Sequence, residues 1–380
     1  MPGPTEIRPQ TTPNAAKFAA NARDLPWRDP DPATGRRNPY FSLVSELMLQ
    51  QTQVARVVEK FAPFIARFPT PAALAAATID DVLAAWTGLG YYRRARLLHA
   101  AALAIVDRHN GEVPRTITEL KALPGIGRYT AGAIASICFD QPEPIVDGNV
   151  SRVLLRIAGK ELASDDPAAV AWVWEESGRL AAEAGRAGIA AAFNEGLMEL
   201  GATVCPPAAP RCEACPVRRR SNAAATGRQD SIPLPKARAP KRRIVHSVVL
   251  IHDTGGRVLL ERRPDRGLWA GLWQAPTLEG EQIHAAAELR AAFNLPPRAD
   301  LTLANRFTFH ATHREVVFRI WLAAGLDAAA LEFLARGRRW CTRDQADDLG
   351  MPSPQRRIIL AEDIGHGLLP AAGGDIVDRR

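Results

Sequence analysis

Four residue constellations in this 380-residue sequence are able to do chemistry. Cys205–x6–Cys212–x2–Cys215 gathers three of the five cysteines, with Ser221 six residues further on. Cysteines this close, in a chain expected to be cytosolic, point to metal rather than to disulfides. A mononuclear zinc site fits the cysteine count only with a fourth ligand, and no histidine lies between 205 and 245. Leu123–Pro124–Gly125–Ile126–Gly127 places two glycines around one apolar residue, just ahead of a helix. That permits a tight turn whose backbone N–H groups, with the helix N-terminus, form an anion site suited to a phosphate; a plain structural turn fits equally well. Asp147, in Val146–Asp147–Gly148–Asn149–Val150, precedes an apolar-periodic helix, where an aspartate is ordinarily an N-cap. Glu46 lies in Ser45–Glu46–Leu47–Met48–Leu49–Gln50–Gln51–Thr52. On a helix Glu46, Gln50 and Gln53 share a polar face while Leu43, Val44, Leu47 and Met48 face the core, and a solvated stripe is the default reading of such a face. Cys138 and Cys341 stand alone and read as buried core residues.

The elements that must position these residues fall into two grammars. From Asn14 to about Phe193 the pattern is helical, with Ala-rich stretches and apolar residues at three- and four-residue spacing, broken by Pro63, Pro69, Pro114, Pro124 and Pro142. Helices are expected over Ile117–Ala122 and Tyr129–Cys138. Beyond Arg243 the β-branched run Ile244–His252, a turn at Asp253–Gly256 and the return Arg257–Glu261 predict a hairpin. Glu315–Leu322 reads as a further strand, and Gln282–Phe293 and Gln355–Glu362 as helices. The expected architecture is an all-α domain over 1–221 with its cysteine loop at 205–221, a basic linker over 222–243, an α+β domain over 244–365 and a flexible tail over 366–380.

Composition excludes several classes. With 47% hydrophobic and 23% charged residues the chain is neither disordered nor collagen-like, and no apolar run approaches the roughly 18 residues of a membrane span. The first twelve residues lack the apolar stretch of a secretory signal, so a cytoplasmic protein is expected. Net charge is +7, but Arg218–Arg243 alone carries +8, so the positive charge is local. That segment is expected to cross a nucleic-acid backbone or simply to tether two domains.

Six stretches, taken in order, resemble one family. Asp24–Leu25–Pro26–Trp27–Arg28, Ser45–Val54, Trp86–Tyr92, Leu123–Gly132, Val146–Arg152 and Phe193–Cys205 are similar to the adenine DNA glycosylases of the MutY family, within the helix–hairpin–helix base-excision superfamily. The resemblance covers nearly all of 14–220, with a weaker one to about 365. It implies a monofunctional glycosylase that flips adenine out of duplex DNA opposite 8-oxoguanine or G and cleaves its N-glycosidic bond. Cleavage develops positive charge on the sugar and negative charge on the purine, which calls for one protonated acid and one ionised carboxylate. By the resemblance these are Glu46, the acid, and Asp147, which stabilises the oxocarbenium ion, with Tyr129 and Asn149 orienting them. Arg23, Leu25, Trp27, Arg28 and Glu195 match positions lining the adenine pocket. Gln51 and Tyr91 match residues that wedge into the duplex, and the hairpin Leu123, Gly125 and Gly127 would hold the DNA backbone. Lyases of the superfamily place a lysine at the position of Tyr129 to form a Schiff base, and none of the six lysines lies near it in sequence.

Two departures stand out. The family's 4Fe-4S cluster is held by four cysteines, and Ser221 stands where the fourth belongs, leaving open serine ligation, a labile cluster or none. The C-terminal part resembles a Nudix-like 8-oxoguanine reader, but Gly267–Gly280 lacks the REUxEE glutamates, so pyrophosphatase activity is not expected. Its recognition loop is matched to Ala311–Thr312–His313, with Thr312 and His313 facing the lesion, or in a shifted alignment to Phe309–His310–Ala311. The partner implied is duplex DNA, bound by a monomer in the cytoplasm and nucleoid; no motif names a protein partner. An endonuclease III-like lyase, a Nudix hydrolase and a silent DNA-binding protein are the competing readings. Tyr129 and the second domain argue against the first, the missing glutamates against the second, and the joint presence of Glu46 and Asp147 against the third.

Overall fold

The structure, a computed structural model, describes residues 22–31, 35–236, 240–361 and 376–377. It divides into two units, the first comprising residues 1–50, 57–76 and 97–238 and the second 51–56, 77–96 and 239–380. The chain passes between the units at 238/239, within the expected 222–243, but two short excursions of the helical region, 51–56 and 77–96, also cluster with the C-terminal residues.

Helices α1 (Pro39–Leu49), α2 (Val54–Arg67), α3 (Pro71–Ala76), α4 (Ile79–Ala85), α5 (Arg93–His109), α6 (Ile117–Ala122), α7 (Arg128–Phe139), α8 (Gly148–Ala158), α9 (Pro167–Arg186), α10 (Ala190–Thr203) and α11 (Asn222–Ala225) make up the helical region. Caps stand where the residue types demand them. Asn38 accepts from Tyr40 and Phe41 N–H at α1, Thr116 from Glu119 at α6 and Asp166 from Ala168 at α9. The apolar face of α1 is driven fully inside, with Leu43, Val44, Leu47 and Met48 at most 1% exposed. Val150, Val153, Leu154 and Leu155 of α8 form a core with Val173 and Leu180 of α9 and Leu197 of α10.

In the second unit a five-stranded sheet runs β4 (Thr277–Gly280), β1 (Arg242–Ile251), β6 (Arg314–Ala324), β5 (Asp300–His310), β8 (Ile376–Val377), and a three-stranded sheet runs β3 (Trp273–Gln274), β2 (Val258–Arg262), β7 (Arg339–Cys341). Helices α12 (Ala286–Ala292), α13 (Ala328–Leu334), α14 (Arg343–Asp347) and α15 (Ser353–Ile359) cover them. Central strand β1 is buried on both faces: Val248 and Leu250 join one core with Phe318, Ile320 and Ile358, Val249 and Ile251 another with Leu289, Leu331 and Leu334. β5 and β6 form the antiparallel hairpin of this unit, His310 facing Glu315, with 311–313 as its tip.

Several expectations are corrected. Residues 244–261 do not make a hairpin. The turn forms, with Asp253 Oδ1 accepting from Gly255 and Arg257 N–H, but β1 pairs with β4 and β6 and β2 with β3 and β7. The two strands meet only at His252 and Val258. Residues 222–234 are not a linker but part of the first unit: Ala223 and Ile232 are fully buried, and Leu234 bridges to Ala163. Their apolar side chains pack on α8 despite the Ala/Arg-rich composition. Much of the basic segment is already paired, Arg218 with Glu213, Arg228 with Glu161, Lys236 with Asp165 and Arg242 with Glu281. Arg238 and residues 1–21 lie outside the described residues, as does the expected tail except for Ile376–Val377, which pair with Phe309–His310.

Candidate active site and cysteine site

Helix α1 ends at Leu49, so the polar stripe is shorter than its spacing predicts. Gln50 caps the helix in an extended conformation, Gln51 has φ 58°, and Gln53 falls beyond the turn. Glu46, one turn inside the helix, is half-buried rather than part of a solvated stripe. Its Oε2 is buried and accepts no close hydrogen bond. Burial pushes the carboxyl up to about 7; the Tyr129 hydroxyl, acting as a hydrogen-bond partner, draws it down and the neighbouring Asp147 pushes it up. Gln50 Nε2 reaches Thr130 Oγ1 at 3.5 Å, tying the end of α1 to α7, which carries Tyr129. Tyr129 Oη also donates to Met198 Sδ at 3.8 Å, and burial followed by the two carboxylates holds its phenol protonated.

Asp147 is indeed an N-cap: with φ −110° and ψ −174° it accepts from Val150 N at 2.7 Å. The same carboxylate faces Glu46 and Tyr129, so the structural and the chemical readings coexist. Burial raises its pKa above the ordinary carboxylate value, an effect that Val150 N–H and the Asn149 side chain and backbone N–H offset only in part. Asn149 Nδ2 donates to Asp147 Oδ2 at 2.9 Å, and Arg152 Nη2 donates to Asn149 Oδ1 at 2.7 Å, orienting the amide. Gly201 of α10 is what lets α8 come so close: a Cβ there would stand 2.6 Å from Asn149 Cβ. Two carboxylates thus meet in one site, Glu46 beside Tyr129 with its Oε2 unpartnered and Asp147 supplied with several donors, the kind of unequal environment by which a fold gives two acids different roles.

The residues matched to the adenine pocket are organised by two acids of α10. Glu199 accepts from Arg23 Nε at 2.7 Å and Arg28 Nη2 at 2.9 Å, and Glu195 from Arg37 Nη2 at 2.9 Å, with Arg28 Nε at 3.8 Å. Glu199 and Arg37 are absent from the sequence-derived set; the i, i+4 spacing of Glu195 and Glu199 on one helix face was the available signal. Leu25 and Trp27 are buried, and Trp27 stands edge-on to Phe61 at 5.5 Å, so both support the pocket wall through packing.

At the hairpin Gly125 has φ 77°, and a Cβ there would meet Leu97 at 2.6 Å, so glycine is required twice over. Gly127 N-caps α7 with no side-chain cap and open space where its Cβ would be, leaving the first-turn N–H groups facing outward. Leu123 is buried.

Gln51 and Tyr91, the residues matched to a duplex wedge, belong to the second unit. Tyr91 is exposed at φ 45°, and its hydroxyl is hydrogen-bonded to Thr312 Oγ1 at the β5–β6 tip. Arg94, 6% exposed, holds both wedge segments: Nη2 donates to Thr52 Oγ1 and the Leu89 carbonyl at 3.0 Å and to the Gly90 carbonyl at 3.1 Å. His313 is exposed, with its carbonyl accepting from Arg242 N.

Cys205, Cys212, Cys215 and Ser221 line one small cavity together with Arg156 and Arg218. Arg156 is spent on this loop, donating to the carbonyls of Ile232, Pro206 and Pro207 and, from Nη1, to Cys205 Sγ at 3.1 Å. Among the described residues no three His, Cys, Asp or Glu are gathered tightly enough for a single metal ion. Three thiols that share a cavity without closing on one point, with two guanidinium groups beside them, suit a polynuclear iron–sulfur group better than a zinc ion. Cys138 and Cys341 are buried as expected.

A helical unit with a hairpin turn, half-buried paired carboxylates and a cysteine loop, followed by a mixed-sheet domain, defines a class. Residues 44–170 match the HhH-GPD superfamily of base excision DNA repair proteins and 247–361 match the NUDIX domain. The chain is 33% identical over 399 residues to the adenine DNA glycosylase of Mus musculus, across 91% of this chain and 76% of that one. It is likewise 33% identical over 343 residues to that of Buchnera aphidicola, covering 89% and 92%. It is 43% identical over 202 residues to that of Mycobacterium tuberculosis, covering 53% and 64%. The chain belongs to the adenine DNA glycosylase family.

Proposed function

We propose that this chain excises adenine paired with 8-oxoguanine, or with G, from duplex DNA by hydrolysing the N-glycosidic bond. The observation that carries the chemistry is the pairing of Glu46, whose burial pushes its carboxyl up to about 7, with an Asp147 whose two oxygens accept from Val150 N–H and the Asn149 amide. Protonated Glu46 donates its proton to a ring nitrogen of the departing purine, so the base leaves neutral. Asp147 stabilises the positive charge that develops on the sugar, Asn149 keeps the carboxylate aimed, and water completes the substitution at the anomeric carbon. Tyr129 hydrogen-bonds the acid. With a phenol in place of a lysine the site makes no Schiff base, so an abasic product without strand cleavage follows.

Arg23, Arg28 and Glu195, ordered by Glu199 and Arg37, would line the pocket for the flipped base. Gly125, Gly127 and the α7 N-terminus would take a DNA phosphate. Gln51 and Tyr91 would fill the space the adenine vacates, and Thr312 and His313 would read the opposite base. Cys205, Cys212 and Cys215 would hold a 4Fe-4S cluster, which when bound supplies iron–thiolate cross-links that brace residues 205–221. We place the protein in the cytoplasm, acting as a monomer on DNA.

Single-turnover adenine release from duplexes carrying A opposite 8-oxoguanine, G or T tests the reading. Fast release opposite 8-oxoguanine, slower opposite G and none opposite T is expected. Equal rates on all three would refute lesion reading, and no release from any would refute the glycosylase.

A further inference from the structure

Ser221 stands on the cavity of the three thiols, yet its hydroxyl is already employed by the backbone. Oγ accepts from Ala224 N at 3.3 Å as the N-cap of α11 and donates to the Arg156 carbonyl at 3.4 Å. To bind iron it would have to lose the proton it donates and turn a lone pair away from Ala224. That would uncap a helix of four residues whose Ala223 is fully buried against α8. Positive charge already stands beside the thiols and not at the Ser221 hydroxyl. Arg156 Nη1 donates to Cys205 Sγ at 3.1 Å, and Arg218 lines the same cavity.

We infer that Cys205, Cys212 and Cys215 supply all the protein ligands of the cluster, that Ser221 stays a helix cap, and that the fourth iron is open to a small exogenous ligand such as hydroxide or a low-molecular-weight thiol. This rests on the cofactor reading above. An iron without a protein thiolate is the one lost on oxidation. The [4Fe-4S]2+ cluster gives one electron to ferricyanide and releases one Fe2+, leaving [3Fe-4S]+ on the three cysteines.

The test uses the full chain with its cluster assembled, as wild type, Ser221→Ala and Ser221→Cys, each treated with ferricyanide in the presence of a ferrous chelator. Chelated iron and the low-temperature EPR signal of a three-iron cluster are read, and circular dichroism verifies folding. Wild type and Ser221→Ala should both release one iron per chain and show the signal, and Ser221→Cys should resist and show at most a small fraction of it. A wild type as resistant as Ser221→Cys, with Ser221→Ala alone labile, would mean that serine ligates and would overturn the inference. It is equally overturned if only Ser221→Cys assembles a cluster. If no form holds iron, the cofactor reading falls with it, while adenine release from the same preparations decides the glycosylase reading separately.

Discussion

Glu46→Gln keeps the shape of the side chain and removes its proton, and the structure requires this variant to be both inactive and more stable. In an unfolded chain the carboxyl ionises near 4.5, but in the folded protein only near 7. Between these values the native state binds more protons than the unfolded state, so stability falls as pH rises through that window and the loss is complete above about pH 7. At 1.36 kcal/mol per pH unit the displacement corresponds to about 3 kcal/mol of destabilisation carried by the ionised glutamate. Glutamine cannot ionise. At about pH 8 the variant should therefore melt roughly 6–12 °C above wild type, and the gain should vanish near pH 4–5, where both side chains are neutral. Adenine release should fall by a factor of about 10² to 10⁴, the usual contribution of a general acid. Wild-type release should itself decline above about pH 7 as Glu46 loses its proton. Melting curves across pH, read beside single-turnover release, check both halves. A variant that melts below wild type at pH 8, or that still releases adenine at the wild-type rate, would refute the assignment of Glu46 as a buried acid.

Asn149→Ala removes a donor from Asp147 and the acceptor of Arg152. A hydrogen bond to a charged group is worth about 1.5–3 kcal/mol, so release should slow roughly tenfold to hundredfold in single-turnover assays with duplex binding kept. Gly201→Ala drives a methyl group into Asn149 and should cost about 1–3 kcal/mol in chemical denaturation, with a loss of release larger than that stability change explains. Tyr91→Phe and Thr312→Val each delete one side of the wedge-to-tip hydrogen bond. Both should lower the ratio of release opposite 8-oxoguanine to release opposite G, and the double variant should be no worse than either single one, as a double-mutant cycle will register.

The helical half was legible because its signals are local. The apolar period of α1, the caps at Asn38, Thr116 and Asp166, and the glycines of the hairpin all act within a few residues. Local signals alone made Glu46 part of a solvated stripe and Asp147 a cap; the resemblance singled them out, and the burial of the Glu46 Oε2 and the facing of the two carboxylates depend on α1, α7 and α8 meeting. The C-terminal half was harder because sheet membership is not local. β1 and β2 follow one turn yet join different sheets, and β5 was passed over although Leu301, Leu303, Phe307 and Phe309 alternate along it. Residues 222–234 were misread from composition, since one Ile232 inserted into a core outweighs a run of alanine and arginine around it.

The two excursions 51–56 and 77–96 bear on how this chain can be shortened. A truncation after residue 238 cuts where the covalent chain passes from one unit to the other, but leaves both excursions without the residues they cluster with. Tyr92 Oη would lose the Met351 carbonyl it bonds at 2.7 Å, Leu83 the backbone of Gly350, and Arg96 the Ala270 carbonyl. Such a fragment keeps every carboxylate of the catalytic site and exposes a new apolar surface at Leu83 and Tyr92. It should be prone to self-association and to nicking between residues 77 and 96, so its aggregation state has to be measured beside any rate assigned to the helical unit.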